Sequence, residues 1–139
     1  DHGLLTTFLY DSYTARKAGA KPTSSARRGY SSMPSAGAFN FIVEAGDQNP
    51  QEIKNLPKAF LMTRGMGSGV SAITGEYSRG ANGLWIEKGE FVHPVQEVTI
   101  AGDFLEMLQK IDAIGNDWRM RGSRGAPTIR IAEMTVSGV

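Results

Sequence analysis

Few side chains in the 139-residue sequence have the types and spacing that catalysis or metal binding requires. The two histidines, His2 and His93, lie far apart, and neither belongs to an HExxH-type pair that zinc could share. The absence of cysteine excludes a thiolate zinc site, a cysteine nucleophile and a disulfide scaffold. Ser68 has no assigned base, without which its hydroxyl is a poor nucleophile. The sequence therefore predicts no catalytic and no metal-ligating residue in this chain.

The most distinctive chemical pattern is a glycine-rich segment after a predicted strand. Residues 67–72 fit the G-x-G-x-x-A pattern of dinucleotide-binding loops, but that interpretation requires a following helix, and residues 73–77 are not helical in character. Glycines also allow a second backbone to approach closely, as when a peptide adds to a sheet edge. We therefore predict a backbone-rich contact with a peptide or partner at Gly65, Gly67, Ser68, Gly69 and Thr74.

Capping and periodicity signals predict a β-dominated α+β fold with mainly antiparallel sheets. Capping residues Asp11, Asn49 and Asp103 predict short helices near 12–18 and 50–56 and one longer helix near 103–114. Apolar runs predict strands at 4–10, 39–43, 84–87, 90–92, 95–100, 116–120 and 128–136, a buried strand at 59–63, and a strand fragment between Gly75 and Gly80 within residues 73–83. Lys88-Gly89 predicts a hairpin turn between the strands at 84–87 and 90–92. Residues 20–38, rich in Ser, Gly, Ala, Arg and Pro, predict a long flexible loop.

Composition limits the classes of partner. The formal net charge is +1, so no global field favours nucleic acid, and we expect no direct contact with it. No apolar run approaches the roughly 18 residues of a membrane span, and no signal peptide is recognisable. These features favour a cytoplasmic protein without membrane contact. Because residue 1 is Asp rather than Met, we expect residues 1–139 to be one domain cut from a longer protein.

Long ungapped stretches of the sequence resemble the TldD/PmbA family, the modulators of DNA gyrase. The resemblance begins in residues 9–19 (LYDSYTARKAG) and is strongest in residues 66–81 (MGSGVSAITGEYSRGA). It continues through residues 83–95 (GLWIEKGEFVHPV), 98–102 (VTIAG) and 115–117 (GND). The resemblance therefore covers nearly the whole chain in register.

The resemblance implies a two-part protein whose C-terminal part is a β-rich, partly open barrel. In this family a TldD subunit pairs with a PmbA (TldE) subunit as a heterodimeric zinc protease that degrades unfolded or small peptides. The zinc ligands implied for TldD are an upstream HExxxH motif and a late cysteine. Residues 115–127 contain no cysteine, so the chain resembles the PmbA branch.

We therefore expect the C-terminal domain of a PmbA-like subunit that is itself non-catalytic. It would hold no cofactor, with zinc in a TldD-like partner, and would serve subunit assembly and the walls of a peptide chamber. The alternative is a regulatory protein that modulates DNA gyrase without peptidase activity. An independent metallohydrolase has the least support, because two isolated histidines supply too few ligands. Trp85 and Phe91 fit either a core or an interface.

Overall fold

The computed structural model describes residues 4–67 and 69–138, so His2 and Ser68 lie outside the described residues. Strands account for 45% and helices for 13%, which confirms the predicted β-dominated α+β class. In chain order the elements are α1 (Ser12–Ala18), β1 (Ala26–Arg27), β2 (Ser35–Ala36), β3 (Phe41–Ile42), α2 (Pro50–Lys54), β4 (Lys58–Met66), β5 (Glu76–Glu87), β6 (Glu90–Asp103), α3 (Phe104–Gln109), β7 (Ile111–Ile114), β8 (Arg119–Arg121), β9 (Arg124–Ala126), β10 (Ile129–Ile131) and β11 (Thr135–Ser137).

The chain divides into two compact units, the first formed by residues up to 43 together with 120–125. This unit contains α1, the antiparallel pair β1–β2 and the sheet β3-β9-β8, in which β3 runs parallel to β9. The predicted loop at 20–38 thus carries a short strand pair, while its flexibility stays a prediction. The predicted strand at 4–10 is wrong, because this segment has no regular structure. Its end is held instead by Thr23, whose hydroxyl accepts the Tyr10 N–H at 2.8 Å.

The three predicted helix starts are confirmed, but two helix ends differ. The side chains of Asp11, Asn49 and Asp103 each accept a hydrogen bond from a backbone N–H of the first turn. Helix α2 ends at Lys54 rather than at 56. The predicted helix at 103–114 ends at Gln109, and the following residues form β7, which pairs with β10. Pairing with a distant strand overrides the apolar periodicity, and β-branched Ile111 and Ile114 suit the extended conformation.

The second unit, residues 44–119 with 126–138, contains an antiparallel sheet of order β11-β6-β5-β4. Lys88 and Gly89 form the predicted turn between β5 and β6, both with positive φ. Strand β4 lies at an edge, so Met62 and Thr63 are exposed where the apolar run predicted a buried strand. No sheet in the described ranges closes into a barrel.

A cluster of buried apolar side chains lies on the main sheet of this unit. It is formed by Ala81, Val95, Val98 and Ile100, against which Phe60, Tyr77, Trp85, Met134 and Val136 pack. Trp85 therefore contributes to the core, although its indole N–H reaches Glu87 Oε1 at 3.2 Å. Phe91 is 54% exposed, with the Lys54 ammonium 5.9 Å from its ring centroid. The structure thus separates two aromatic residues whose roles the sequence left open.

Residues 115–117 join three segments of the second unit. The Gly115 N–H donates to the Thr128 carbonyl at 2.8 Å, and the Gly115 carbonyl accepts the Gly46 N–H at 3.0 Å. The Asp117 carboxylate accepts the Thr128 N–H at 2.9 Å and the Thr128 hydroxyl at 2.7 Å. These two donors hold the pKa of Asp117 below its ordinary value, the backbone N–H contributing most and partial burial opposing them.

We predict that Asp117 makes part of the stability depend on acidic pH. Because its folded pKa is depressed, its contribution is complete above the unfolded pKa of about 4 and is lost as the pH falls through the folded pKa. Asp117→Asn should lower the free energy of unfolding near pH 6 by about 1 kcal/mol, and its deficit should shrink below pH 4. Urea unfolding at several pH values measures this difference.

Asp47→Asn is the matched control, because Asp47 is an exposed carboxyl on the segment that precedes α2. Its stability should follow that of the wild-type protein at each pH. A deficit of Asp117→Asn that stays constant down to pH 3 would contradict the role assigned to the Thr128 hydrogen bonds.

Candidate glycine-edge site

The predicted glycine segment continues the edge strand of the main sheet. Gly65 lies in β4 opposite Ala81 of β5. Beyond the end of β4, Gly67 adopts the left-handed conformation with φ +72°. Pairing with β5 then resumes, since the Gly69 carbonyl accepts the Ser78 N–H at 2.9 Å and residue 70 bridges residue 77. Gly65, Gly67 and Gly69 therefore lie along one irregular extension of the edge.

Thr74 lies at the far end of the same hairpin, in its turn. Its hydroxyl accepts the Glu76 N–H at 3.3 Å, and its own N–H donates to the Ser71 hydroxyl at 3.3 Å. The Gly75 carbonyl accepts the Phe104 N–H at 2.8 Å, which ties the turn to the start of α3. Because no helix follows the glycines, the segment lacks the helix N-terminus that a dinucleotide loop requires.

Among the residues that the structure describes, the backbone of β4 forms sheet hydrogen bonds on one side only. Within the described part of the chain, its strand partner is β5, and no other backbone hydrogen bond reaches residues 58–66. A strand edge of this kind presents a row of N–H and C=O groups to an incoming chain. Thr63 interrupts the regular pairing at a bulge, where its hydroxyl donates to the Asn82 carbonyl at 3.2 Å.

Arg79 is a part of this site that the sequence analysis missed. A Cβ at Gly65 would overlap the Arg79 guanidinium, and a Cβ at Gly69 would lie 3.5 Å from Arg79 Cδ. The arginine therefore runs across the space that these glycines leave open. Alternation along β5 could have indicated the face on which Arg79 lies, which it shares with Tyr77 and Ala81 of the core side, but not its contact with Gly65.

The described residues do not fit a zinc site. Among them, no group of three or more His, Cys, Asp or Glu side chains is arranged to hold a metal ion. His93 stacks on Trp85, with ring centroids 6.5 Å apart and 23° between the planes. We therefore derive no chemical step through a metal in this chain. None of the described helices is long and apolar enough to cross a bilayer.

Comparison with known proteins identifies the family to which this fold belongs. The sequence profile of the PmbA/TldA metallopeptidase C-terminal domain matches residues 1–138. The chain belongs to this family. It is 40% identical over 137 residues to the protein named Metalloprotease PmbA from Escherichia coli O157:H7, which covers 98% of the chain and 28% of that relative. This PmbA/TldA domain thus spans less than a third of the relative's length.

Two solved structures share the fold of this PmbA/TldA domain. A Thermotoga maritima protein described as a modulator of a DNA gyrase superposes with a TM-score of 0.83 at 32% identity, covering 99% of this chain and 32% of that one. TldE from Thermococcus kodakarensis superposes with a TM-score of 0.89 at 21% identity, covering 99% and 33%. The second likeness supports the fold alone.

We predict that alanine at Gly83 destabilises the domain more than alanine at Gly65. A Cβ at Gly83 would overlap the Leu61 carbonyl oxygen and lie 2.7 Å from the Phe60 ring, so the backbone must shift. Overpacking of this kind costs about 1–3 kcal/mol. At Gly65 the obstructing atoms are ends of flexible side chains, so the cost should be smaller.

Gly80→Ala is the matched control in β5, since the nearest atom to its Cβ would lie 3.4 Å away. It should change the free energy of unfolding by less than about 0.5 kcal/mol. Urea unfolding of the three variants tests the order. If Gly65→Ala lowers the free energy of unfolding as much as Gly83→Ala does, the Arg79 guanidinium cannot move aside.

Proposed function

We propose that the chain is the C-terminal domain of a PmbA-like subunit in a heterodimeric zinc peptidase, and that it is non-catalytic. In this proposal the β4 edge and the glycine segment line the path of an unfolded or small peptide. The observation that carries the proposal is an edge strand, without a second strand partner among the described residues, that is followed by Gly67 and Gly69.

An extended peptide fits this edge for general physical reasons. Main-chain hydrogen bonds to a strand edge recognise any backbone in extended form, so they supply affinity without demanding a particular sequence. Neighbouring strands lie about 4.8 Å apart. Glycine permits a close approach because it has no side chain to hold the peptide away. A folded substrate, whose strands are already paired, would not offer the same groups.

Assignment to the PmbA branch is supported by sequence. The chain is 40% identical to the E. coli relative named PmbA, and residues 115–127 lack the late cysteine that the family resemblance implies for TldD. Zinc, which lowers the pKa of a bound water to about 7 in hydrolases, would belong to the TldD-like partner. This chain's residues would bind and orient the peptide and support assembly. We also propose that the parent is a longer two-part protein of the cytoplasm.

The zinc content of the full-length protein tests this assignment. The protein purified alone and dialysed against a weak chelator should retain almost no zinc, and its complex with the TldD-like partner should retain about one ion per heterodimer. About one zinc per chain in the isolated protein would show that the branch assignment is wrong.

A side chain at Gly67 should impair peptide hydrolysis by the complex. In Gly67→Leu the new side chain would project beside the edge, and kcat/KM for an unstructured peptide should fall about tenfold, equivalent to roughly 1.4 kcal/mol. Gly122→Leu is the control, because both glycines have positive φ and open space where a Cβ would lie, so the backbone strain is matched.

Gly122 lies in the β8–β9 turn of the first unit, and its variant should retain wild-type hydrolysis. If kcat/KM falls equally in Gly67→Leu and Gly122→Leu, with intact complexes and equal zinc content, backbone strain causes the effect. That result would contradict the proposed path of the peptide.

A second candidate is a regulatory protein that binds DNA gyrase. It is favoured by the description of the Thermotoga maritima neighbour as a modulator of a DNA gyrase. A pull-down of gyrase with and without nuclease separates a direct protein contact from one through DNA. Nuclease-resistant capture by a complex that hydrolyses no peptide would favour this candidate over the peptidase subunit.

A further inference from the structure

The guanidinium of Arg79 has no counterion among the described residues. Its Nε is buried without a hydrogen-bond acceptor, although the residue as a whole is only half-buried. The ion pairs in the described ranges join Lys110 to Glu106 and Glu133, and Arg130 to Asp112. A half-buried arginine that has no counterion can bind an anion from outside the chain.

The position of this charge relates it to the edge of the sheet. Arg79 belongs to β5, and its guanidinium crosses β4 at Gly65. Because β4 is the edge strand, the guanidinium lies over the last strand before the open side. A chain added to β4 would lie about 4.8 Å beyond it, on the side of the sheet edge nearest to this guanidinium.

The surroundings favour a carboxylate that interacts with the outer nitrogens. On this face Arg79 lies between Tyr77 and Ala81, and Met62 Cε occupies the same space over Gly65. These apolar neighbours lower the local dielectric, so the attraction between an arginine and a carboxylate is stronger there than in water. The planar fork of the guanidinium also matches the two oxygens of a carboxylate.

We infer that Arg79 binds a carboxylate of the peptide that lies along β4, and that Gly65 keeps open the space through which the guanidinium reaches it. The inference rests on the proposed peptide-binding function and adds a preference for acidic peptides to it. The carboxylate is either the C-terminus of the peptide or an acidic side chain.

Three forms of one labelled peptide test the inference. The probe is a fluorescein-labelled decapeptide of Thr, Val and Ser, with a free C-terminus, as the C-terminal amide, or as the amide with one internal Glu. Binding to the complex of the full-length protein with its TldD-like partner is measured by anisotropy, with chelator present to prevent cleavage. At least one of the two forms that carry a carboxylate should bind about tenfold more tightly than the neutral amide. The form with the higher affinity shows whether the carboxylate comes from the C-terminus or from a side chain.

Arg79→Met should abolish this preference while the neutral amide binds as before. Arg121→Met is the matched control, since it removes one positive charge from an exposed position on β8, outside the proposed peptide path, and it should retain the preference. Gly65→Ala provides a second route if Arg79→Met does not fold, because it displaces the guanidinium without removing it. It should also lose the preference.

The possible failures are distinguishable. Equal wild-type affinity for all three peptides overturns the role of Arg79 but leaves peptide binding in place. A preference that survives both Arg79→Met and Gly65→Ala also overturns it. Absence of binding by every form overturns the peptide function together with the inference.

Discussion

Strand β5 is hydrogen-bonded along both of its edges, to β4 on one side and to β6 on the other. This double pairing positions the core, because Ala81 lies at the centre of β5 and is completely buried among side chains of β6. It also leaves β4 as the outer strand. The open edge proposed to bind a peptide is thus a direct consequence of how β5 is paired.

Glycine, which has no side chain, serves two different purposes in β4 and β5. At Gly83 a Cβ would overlap the Leu61 carbonyl oxygen, so the glycine permits close packing of the backbone. At Gly65 the free space holds the guanidinium of Arg79 instead. The same chemical property therefore stabilises the sheet at one position and, in our proposal, exposes a cation to substrate at the other.

Membership of the PmbA/TldA C-terminal domain family places this architecture among metallopeptidase-type proteins. The described residues contribute an edge, a glycine segment and a positive charge, and they contain no ligand set that fits zinc. In the proposed division of labour, this chain binds and aligns an extended backbone, and the TldD-like partner provides the hydrolytic chemistry. Each contribution is separately measurable, through peptide affinity and through zinc content.

The sequence by itself determined the features that depend on neighbouring residues. The helix starts at Asp11, Asn49 and Asp103 and the Lys88-Gly89 turn follow from contacts within about four residues, and the family follows from motifs in register. It also drew attention to the glycines of the candidate site. Tertiary structure decided what depends on distant partners. Pairing with β10 turned the end of the predicted helix into β7, and an edge position exposed Met62. The Arg79 side chain can occupy its position only because a glycine, Gly65, lies beside it in β4. The two residues are fourteen positions apart in the sequence, so no local pattern predicts their contact.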